Sequence, residues 1–198
     1  MGVAIVPPQV TAFILAGGKS TRMGADKPFV QFNGKTLLSR ALEIAGELTE
    51  DVRIVGSYEK FSPYAPVVED VFRECGPLGG IHAALQASST DLNLMLGVDM
   101  PFVSAPFLRY LVAQAHNASD LAVVPYSGER FQPLCAVYPR EFWKAAETAL
   151  LAGQNRIGLL FKTVPIRVID EDELVRSGFS PALFRNLNTP EELQAASE

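Results

Sequence analysis

Cysteine is scarce in this chain of 198 residues: only Cys75 and Cys135 occur, and their spacing matches no metal or redox motif. A disulfide framework is therefore excluded, and a reducing, cytoplasmic location is expected. Long apolar runs are also missing, since none approaches the roughly 18 residues that span a bilayer. The first ten residues lack the basic and apolar regions of a signal peptide, so we expect neither export nor membrane insertion.

An excess of positive charge is missing as well. Seventeen Lys and Arg residues stand against 22 Asp and Glu, which gives a formal net charge of −5. General nucleic-acid binding needs a basic face, so the overall charge argues against it. One local exception is the group Lys19, Arg22 and Lys27, which falls within a glycine-rich stretch. A solvated surface loop would explain such a cluster, but its position after an apolar run favours an anion site.

The hydrophobic pattern predicts an α/β protein of one domain covering residues 1–198. With 48% hydrophobic and 20% charged residues, the composition is that of an ordinary globular chain. Short apolar runs alternate with amphipathic segments, which is typical of a mostly parallel sheet with helices on both faces. Strands are expected at Val10–Leu15, 52–55, 67–68, 92–98, 121–124, 131–138 and 164–169, and helices at 36–48, 78–88, 105–116 and 140–152.

The segment from Leu15 to Lys27, LAGGKSTRMGADK, is the strongest functional signal. Glycines let backbone N–H groups approach an anion, and Lys19, Arg22 and Lys27 supply positive charge, so the segment predicts a phosphate-binding loop. It is not a P-loop, because Phe13 stands where that motif requires glycine. It is not a dinucleotide fingerprint either, because Lys19 stands at the second glycine position.

Asp99 follows the apolar run 92–98 and is expected at the same edge of the sheet as this loop. Ligands of open α/β sheets bind outside the carboxyl ends of the strands. A carboxylate beside a phosphate site would repel the substrate unless a cation lies between them. Mg²⁺, which binds one or two carboxylates together with phosphate oxygens, resolves this conflict. Asp99 is therefore the candidate metal ligand, although a capping role is the alternative when Asp99 is considered alone.

Three further polar groups could line the same cleft. Glu69-Asp70 ends a short strand and could accept hydrogen bonds from a ribose or a base, and a plain loop charge is an equal alternative. Gly76-Pro77 predicts a tight turn close to a ligand. His82 and His116 are expected to be structural, since a lone histidine on a helix usually is.

Taken together, the motifs resemble those of the molybdenum cofactor guanylyltransferases. The shared segments are LAGGKSTRMGADK at 15–27, GPLGGI at 76–81, DMP at 99–101, QPLCAVY at 132–138 and NLNTPEEL at 186–193. They occur in the family's order and cover nearly the whole chain. The resemblance implies a Rossmann-like, three-layer nucleotidyltransferase fold. It also implies transfer of GMP from GTP to the phosphate of molybdopterin, or of its molybdenum-loaded form, with release of pyrophosphate.

The resemblance also implies roles for individual residues. Leu15, Ala16, Gly17, Lys27 and Asp70 fall at nucleotide-binding positions, and Asp99 at the position that holds both nucleotide and Mg²⁺. The resemblance implies that Arg22, Lys27 and Asp99 are the catalytic residues, which act through their charges. The segment with Asn186 and Asn188 resembles the part near the pterin. Molybdoenzymes or carrier proteins are the implied protein partners. Where some relatives have an asparagine that helps bind guanine, this chain has Gly56.

Three alternatives stay open from the sequence alone. Cytidylyltransferases for the same pterin tend to read LAAG where this chain has Leu15-Ala16-Gly17-Gly18, which favours the guanylyl reaction. Sugar-phosphate nucleotidyltransferases usually place proline before the loop lysine, whereas here Pro28 follows Lys27. A GTP-binding module without catalysis would have no need for the metal carboxylate at Asp99.

Overall fold

The computed structural model describes residues 9–17, 26–118 and 120–187. The predicted site residue Arg22, together with Lys19 and Asn188, lies outside these ranges. The described residues contain ten strands: β1 (Val10–Leu15), β2 (Gln31–Phe32), β3 (Lys35–Thr36), β4 (Val52–Val55), β5 (Val67–Val68), β6 (Leu92–Gly97), β7 (Ala122–Ser127), β8 (Arg130–Phe131), β9 (Cys135–Pro139) and β10 (Ile166–Ile169).

Eight of the strands form the central sheet: seven lie in the order β10-β7-β9-β6-β1-β4-β5, and β8 pairs with β7 off this path. Every neighbouring pair in this path is parallel except the two pairs that contain β9, which runs antiparallel to β6 and β7. The expectation of a mostly parallel sheet is confirmed. The strands β2 and β3 form a separate hairpin whose two-residue turn, Asn33-Gly34, has positive φ at both residues. That turn type suits the right-handed twist of a hairpin.

The helices cover both faces of this sheet. They are α1 (Leu37–Gly46), α2 (Tyr58–Phe61), α3 (Gly76–Ala87), α4 (Ala105–Asn117), α5 (Phe142–Leu151), α6 (Ile157–Leu160) and α7 (Glu171–Arg176). Strand β1 shows how the two cores arise. Its Ala12 and Ile14 pack with residues of α1 and α4, whereas Phe13 and Leu15 pack with residues of α3 and α5. Successive side chains of a strand point to opposite faces, so the three-layer α/β/α arrangement is confirmed.

Several predicted boundaries were wrong. The single strand expected at 131–138 is two strands, β8 and β9, because Gln132-Pro133-Leu134 leaves the ladder and Pro133 has no N–H to donate. Helix α3 begins at Gly76, two residues before the predicted start, and Pro77 occupies its first turn, where a missing N–H costs nothing. Strands β7 and β8 are joined by the two-residue turn Gly128-Glu129, where both residues have positive φ.

Within the part of the chain that the structure describes, no helix has the length and apolar character needed to cross a membrane.

Candidate active site

A cleft of about 980 Å³ opens at the carboxyl ends of the parallel strands β1, β4 and β5. This is the edge at which ligands of open α/β sheets bind. Leu15, Ala16 and Gly17 line the cleft as the chain leaves β1. The remaining lining residues come from the segments after β4 and β5, the first turns of α3, and the segment before β9: Val55, Ser57, Lys60, Phe61, Asp70, Arg73, Glu74, Gly76, Pro77, Gly80 and Leu134.

Two backbone hydrogen bonds fix the entry to the glycine-rich loop. The amides of Ala16 and Gly17 both donate to the carbonyl oxygen of Val55, at 3.1 and 3.2 Å. The chain therefore stays attached to β4 for two residues beyond the end of β1. A Cβ atom on Gly17 would meet Val55 and Gly56 only at ordinary contact distances of 3.8 and 3.9 Å, so packing there does not exclude a side chain. Because Gly17 has no side chain, its backbone is open to the cleft.

The structure brings Lys27 and Asp99 together although 72 residues separate them in sequence. Lys27 Nζ lies 2.9 Å from Asp99 Oδ2, and the two side chains are only 16% and 22% exposed. Lys27 begins a short 3-10 helix, Lys27–Phe29, and Asp99 comes two residues after the end of β6. The backbone carbonyl of Asp99 accepts a hydrogen bond from the amide of Leu187, so the segment that contains Asn186 also lies at this corner.

Gly97 makes room for the Asp99 carboxylate. A Cβ atom at residue 97 would lie 2.8 Å from Asp99 Oδ1 and 3.3 Å from Leu134 Cβ, and real Cβ atoms essentially never approach within 3.0 Å. Only glycine at this position allows the carboxylate the orientation that it has here. The two oxygens thus have different surroundings: Oδ2 accepts from Lys27, and Oδ1 lies over the bare backbone of residue 97.

The donor set fits a hard divalent cation that also binds substrate phosphates. Among residues 9–17, 26–118 and 120–187, no group of three or more His, Cys, Asp or Glu side chains could hold a metal by itself. Mg²⁺ does not need such a cage, because it is usually bound by one or two carboxylates plus phosphate oxygens and water. Asp99 supplies a carboxylate of this kind just after β6, which pairs with β1; Leu15 at the end of β1 lines the cleft.

Asp70 lines the cleft, and the surroundings of its carboxylate differ from those of Asp99. Its Oδ1 atom is buried and has no hydrogen-bond partner among the described residues. Burial raises the pKa of the Asp70 carboxyl above its usual value, since desolvation disfavours the charged form. The neighbouring Glu69 has a structural task instead, because its Oε1 accepts from the backbone amide of Tyr58 at 3.0 Å and so holds the start of α2.

The first turns of α3 form one wall of the cleft through Gly76, Pro77 and Gly80. A Cβ atom on Gly79 would lie 2.7 Å from the carbonyl oxygen of Phe72, so this glycine lets the segment after β5 pack onto the helix. The amide groups at the start of a helix favour negative charge. The wall therefore presents a backbone surface that suits a phosphate or a polar part of a nucleotide.

His82 lies behind this wall and not in the cleft. It is fully buried and makes edge contacts with Phe72 and Trp143, and its Nε2 lies 3.6 Å from Glu147 Oε1. The side chain fills the interface between α3 and α5, as expected for a structural histidine. Gln132 has a structural place too, since it is buried and its Nε2 donates to the carbonyl oxygen of Ser127.

Sequence reasoning missed the outer wall of the cleft. Ser57, Lys60 and Phe61 come from α2 and its start, and Arg73 and Glu74 from the segment before α3. The rule about strand ends could have pointed to residues after β4, but a four-residue helix has no periodic signal. Gly56 is explained by this wall: a Cβ atom there would lie 2.7 Å from the Phe61 ring, so no asparagine fits unless Phe61 moves.

The remaining predicted position, Asn186, lies at the side of Asp99. Its Oδ1 is buried and has no hydrogen-bond partner within the described residues. The adjacent Leu187 is fully buried and donates to the Asp99 carbonyl oxygen, which fixes the segment beside the cleft.

Several features meet at the carboxyl edge of the sheet: the glycine entry, the lysine–carboxylate pair and the start of α3. Together they define a nucleotidyltransferase site. The sequence model of the MobA-like NTP transferase domain matches residues 12–165. A probable molybdenum cofactor guanylyltransferase from Pelotomaculum thermopropionicum is 33% identical, over 95% of this chain and 92% of that protein. A molybdenum cofactor guanylyltransferase from Syntrophotalea carbinolica is also 33% identical, over 93% and 89%.

The fold is shared with a solved structure of the same kind. The crystal structure of molybdopterin-guanine dinucleotide biosynthesis protein A from Archaeoglobus fulgidus superposes with a TM-score of 0.82 at 27% identity, covering 94% of this chain and 96% of that one. The chain therefore belongs to the MobA-like NTP transferase family. The resemblance of the chain to the molybdenum cofactor guanylyltransferases is confirmed, and the chain is an enzyme of the nucleotidyltransferase class. Nucleotidyltransferases of this family generally use a divalent metal.

Proposed function

We propose that this protein transfers GMP from GTP to the phosphate of molybdopterin, or of its molybdenum-loaded form, and releases pyrophosphate. The observation that carries the proposal is the Lys27–Asp99 pair at 2.9 Å; Asp99 follows β6 beside the end of β1, where a cleft of about 980 Å³ opens. The relatives named as guanylyltransferases, which match nearly the whole chain, supply the choice of GTP and of the pterin. The protein would work as one domain covering residues 1–198.

In this reaction an oxygen of the acceptor phosphate attacks the α-phosphorus of GTP. A new P–O bond forms, the bond from the α-phosphorus to the bridging oxygen breaks, and pyrophosphate leaves with the electron pair. The protein contributes little covalent chemistry, so its rate enhancement comes from positioning and from charges that stabilise the transition state. Lys27 donates a charged hydrogen bond to a phosphate oxygen, and Arg22 is proposed to add a second positive charge.

The proposed nucleotide contacts follow the walls of the cleft. Leu15, Ala16 and Gly17 present backbone to the GTP, and Asp70 offers its unpaired oxygen to an N–H or O–H group of the nucleoside. Asp99 is the proposed ligand of both the nucleotide-bound metal and the nucleotide. We propose Mg²⁺ as that metal. When bound, it neutralises the charge that develops on the phosphates.

We also propose a cytoplasmic location, since both Cys75 and Cys135 are free thiols, as expected in a reducing compartment. Molybdoenzymes or carrier proteins that handle the pterin are the proposed protein partners.

The test is a nucleotide panel. The purified protein is incubated with Mg²⁺, with molybdopterin freshly released from a carrier protein, and with GTP, CTP, ATP or UTP in turn, and pyrophosphate release is measured. Release with GTP, lost on addition of EDTA, is the expected result. Release with CTP in place of GTP would move the function to cytidylyl transfer. If no nucleotide gives pyrophosphate release, with either the pterin or sugar phosphates as acceptors, the proposal is contradicted. The protein would then be a GTP-binding module without catalysis.

A further inference from the structure

Asp26 and Lys27 are consecutive residues whose side chains pair in opposite directions. Lys27 binds Asp99, which follows β6, while Asp26 Oδ1 binds Nζ of Lys60 on α2, which follows β4. In the sheet, β1 lies between β6 and β4. The dipeptide therefore spans the carboxyl end of β1 and is attached to a neighbour on each side.

The Lys60 side chain is held in place by aromatic rings. Its Nζ lies 4.9 Å from the centre of the Phe61 ring and 5.5 Å from that of Phe29, and the two rings stack with centres 6.0 Å apart. Phe61 is fully buried over Gly56, so it forms a fixed base for the ammonium group. A cation over such rings is attracted to their faces, which adds to the ion pair.

The ion pair and the stacked rings join the same two segments. Phe29 and Asp26 belong to the chain that returns from the glycine-rich loop, whereas Lys60 and Phe61 belong to the outer wall of the cleft. The amide of Phe29 donates to the carbonyl oxygen of Asp26 at 2.9 Å, so a displacement of Asp26 would be transmitted to the turn that carries Lys27.

We propose that Lys60 is a positioning residue for the transfer reaction: its ion pair with Asp26 fixes the returning end of the phosphate loop and so places Lys27. The inference rests on the proposed function. Lys60 lines the cleft, but its charge is already matched by Asp26 and by two ring faces. It therefore acts through Lys27, and does not bind the nucleotide itself.

Two substitutions break the pair from either side. Lys60→Met keeps an unbranched stem over the rings and removes the charge, and Asp26→Asn keeps the shape and removes the opposite charge. Each should lower kcat for GMP transfer about three- to tenfold with little change in KM for GTP, as expected for one partly exposed ion pair with a cation–π contact. The double variant should lose no more than either single one, because the contact is broken once. Lys60→Arg should restore most of the rate.

Lys144→Met is the matched control. Lys144 also pairs with a carboxylate, Glu141, and lies over an aromatic ring, Trp143, but on α5 and outside the cleft lining. Its substitution removes the same kind of interactions and should leave kcat unchanged.

A second measurement does not depend on catalysis. Hydrogen exchange at the amides of Phe29 and Val30, which bond to Asp26 and Lys27, should be about three- to tenfold faster in Lys60→Met and in Asp26→Asn than in the parent and Lys144→Met. Should the parent protein fail to transfer GMP, the proposed function fails and this measurement alone decides the structural part of the inference.

The inference is overturned if Lys60→Met raises KM for GTP while Asp26→Asn has normal kinetics, since Lys60 would then contact the nucleotide directly. It is equally overturned if both variants keep parental rates and parental exchange. A double variant whose loss equals the product of the two single losses would also contradict a shared contact.

Discussion

Replacing Gly97 with alanine perturbs the site by a single methyl group. The new Cβ would lie 2.8 Å from Asp99 Oδ1 and 3.3 Å from Leu134 Cβ. Ordinary contact begins at 3.4 Å, so the carboxylate oxygen has to retreat by about 0.6 Å. An Asp side chain is short and Asp99 is also paired with Lys27, so the retreat must change the geometry of that pair.

The expected loss follows from this displacement. A misplacement of about 1 Å costs on the order of 10²-fold in rate, so a shift of roughly half that size should lower kcat/KM by about 10- to 50-fold. Stability should fall only moderately. Alanine restricts the unfolded chain and thereby gains about 0.4–1 kcal/mol, which offsets part of the roughly 1–3 kcal/mol cost of crowding Leu134. The net loss is at most about 2.6 kcal/mol, so Tm should fall by no more than about 5–10 °C, at roughly 2–4 °C per kcal/mol for a chain of this size.

The assay is pyrophosphate release with GTP and molybdopterin, together with a thermal unfolding curve for each variant. Gly46→Ala is the control, because a Cβ atom there meets nothing within 4 Å and residue 46 does not line the cleft. If Gly97→Ala keeps kcat/KM within twofold of the parent while remaining folded, the orientation of Asp99 seen here does not matter to the reaction, and the reasoning fails.

Three other substitutions test the site directly. Asp99→Ala should lower activity at least ~10³-fold, because metal stabilisation contributes several kcal/mol; near-normal turnover would remove Asp99 as the metal ligand. Lys27→Ala should cost on the order of 10- to 10²-fold for the loss of one charged hydrogen bond, and unchanged kcat and KM would exclude it from the site. Asp70→Asn should weaken GTP binding in calorimetry yet raise Tm at pH 7. Burial raises the folded-state pKa of Asp70 above its unfolded-state pKa, so the parent loses stability as the pH rises from the unfolded-state pKa through the folded-state pKa. The stability advantage of asparagine should therefore vanish below about pH 4. A Tm difference between Asp70→Asn and the parent that is the same at pH 7 and below about pH 4 would contradict this.

Much of the sheet could be predicted because its buried strands are apolar runs with at most one polar residue, such as Thr11 in β1 and Asn93 in β6. Val10–Leu15 and the run ending at Gly97 are covered on both faces, so their sequences lack polar alternation. The short elements could not be predicted in this way. Helix α7 depends on contacts made elsewhere in the chain: its Glu171 accepts hydrogen bonds from Ser127 and Gly128 of the β7–β8 hairpin. No local pattern records such a contact.

The inner part of the site could be predicted for a related reason. The carboxyl ends of parallel strands meet at one edge, so the residues that follow β1 and β6 had to approach each other, and Lys27 and Asp99 do. The outer wall was not predictable, because it depends on Phe61 filling the space above Gly56 and on Lys60 reaching Asp26, 34 residues away. Both contacts are set by tertiary packing of a four-residue helix.

Asp70 in the cleft and Asp99 beside it show how different surroundings give identical groups different tasks. Asp99 is beside a lysine, and its second oxygen has room over a glycine, so an anionic group can persist there and receive a cation. Asp70 has a buried oxygen that finds no hydrogen-bond partner among the described residues, and burial raises its pKa, so its charge is unfavourable until a donor arrives. A neutral N–H or O–H group of a nucleoside supplies such a donor and recovers the lost hydrogen bond. We infer that Asp70 binds the nucleoside and Asp99 the phosphate-bound metal, because exchanging the two roles would leave the unpaired oxygen of Asp70 unsatisfied and place the charge of Lys27 where no phosphate needs it.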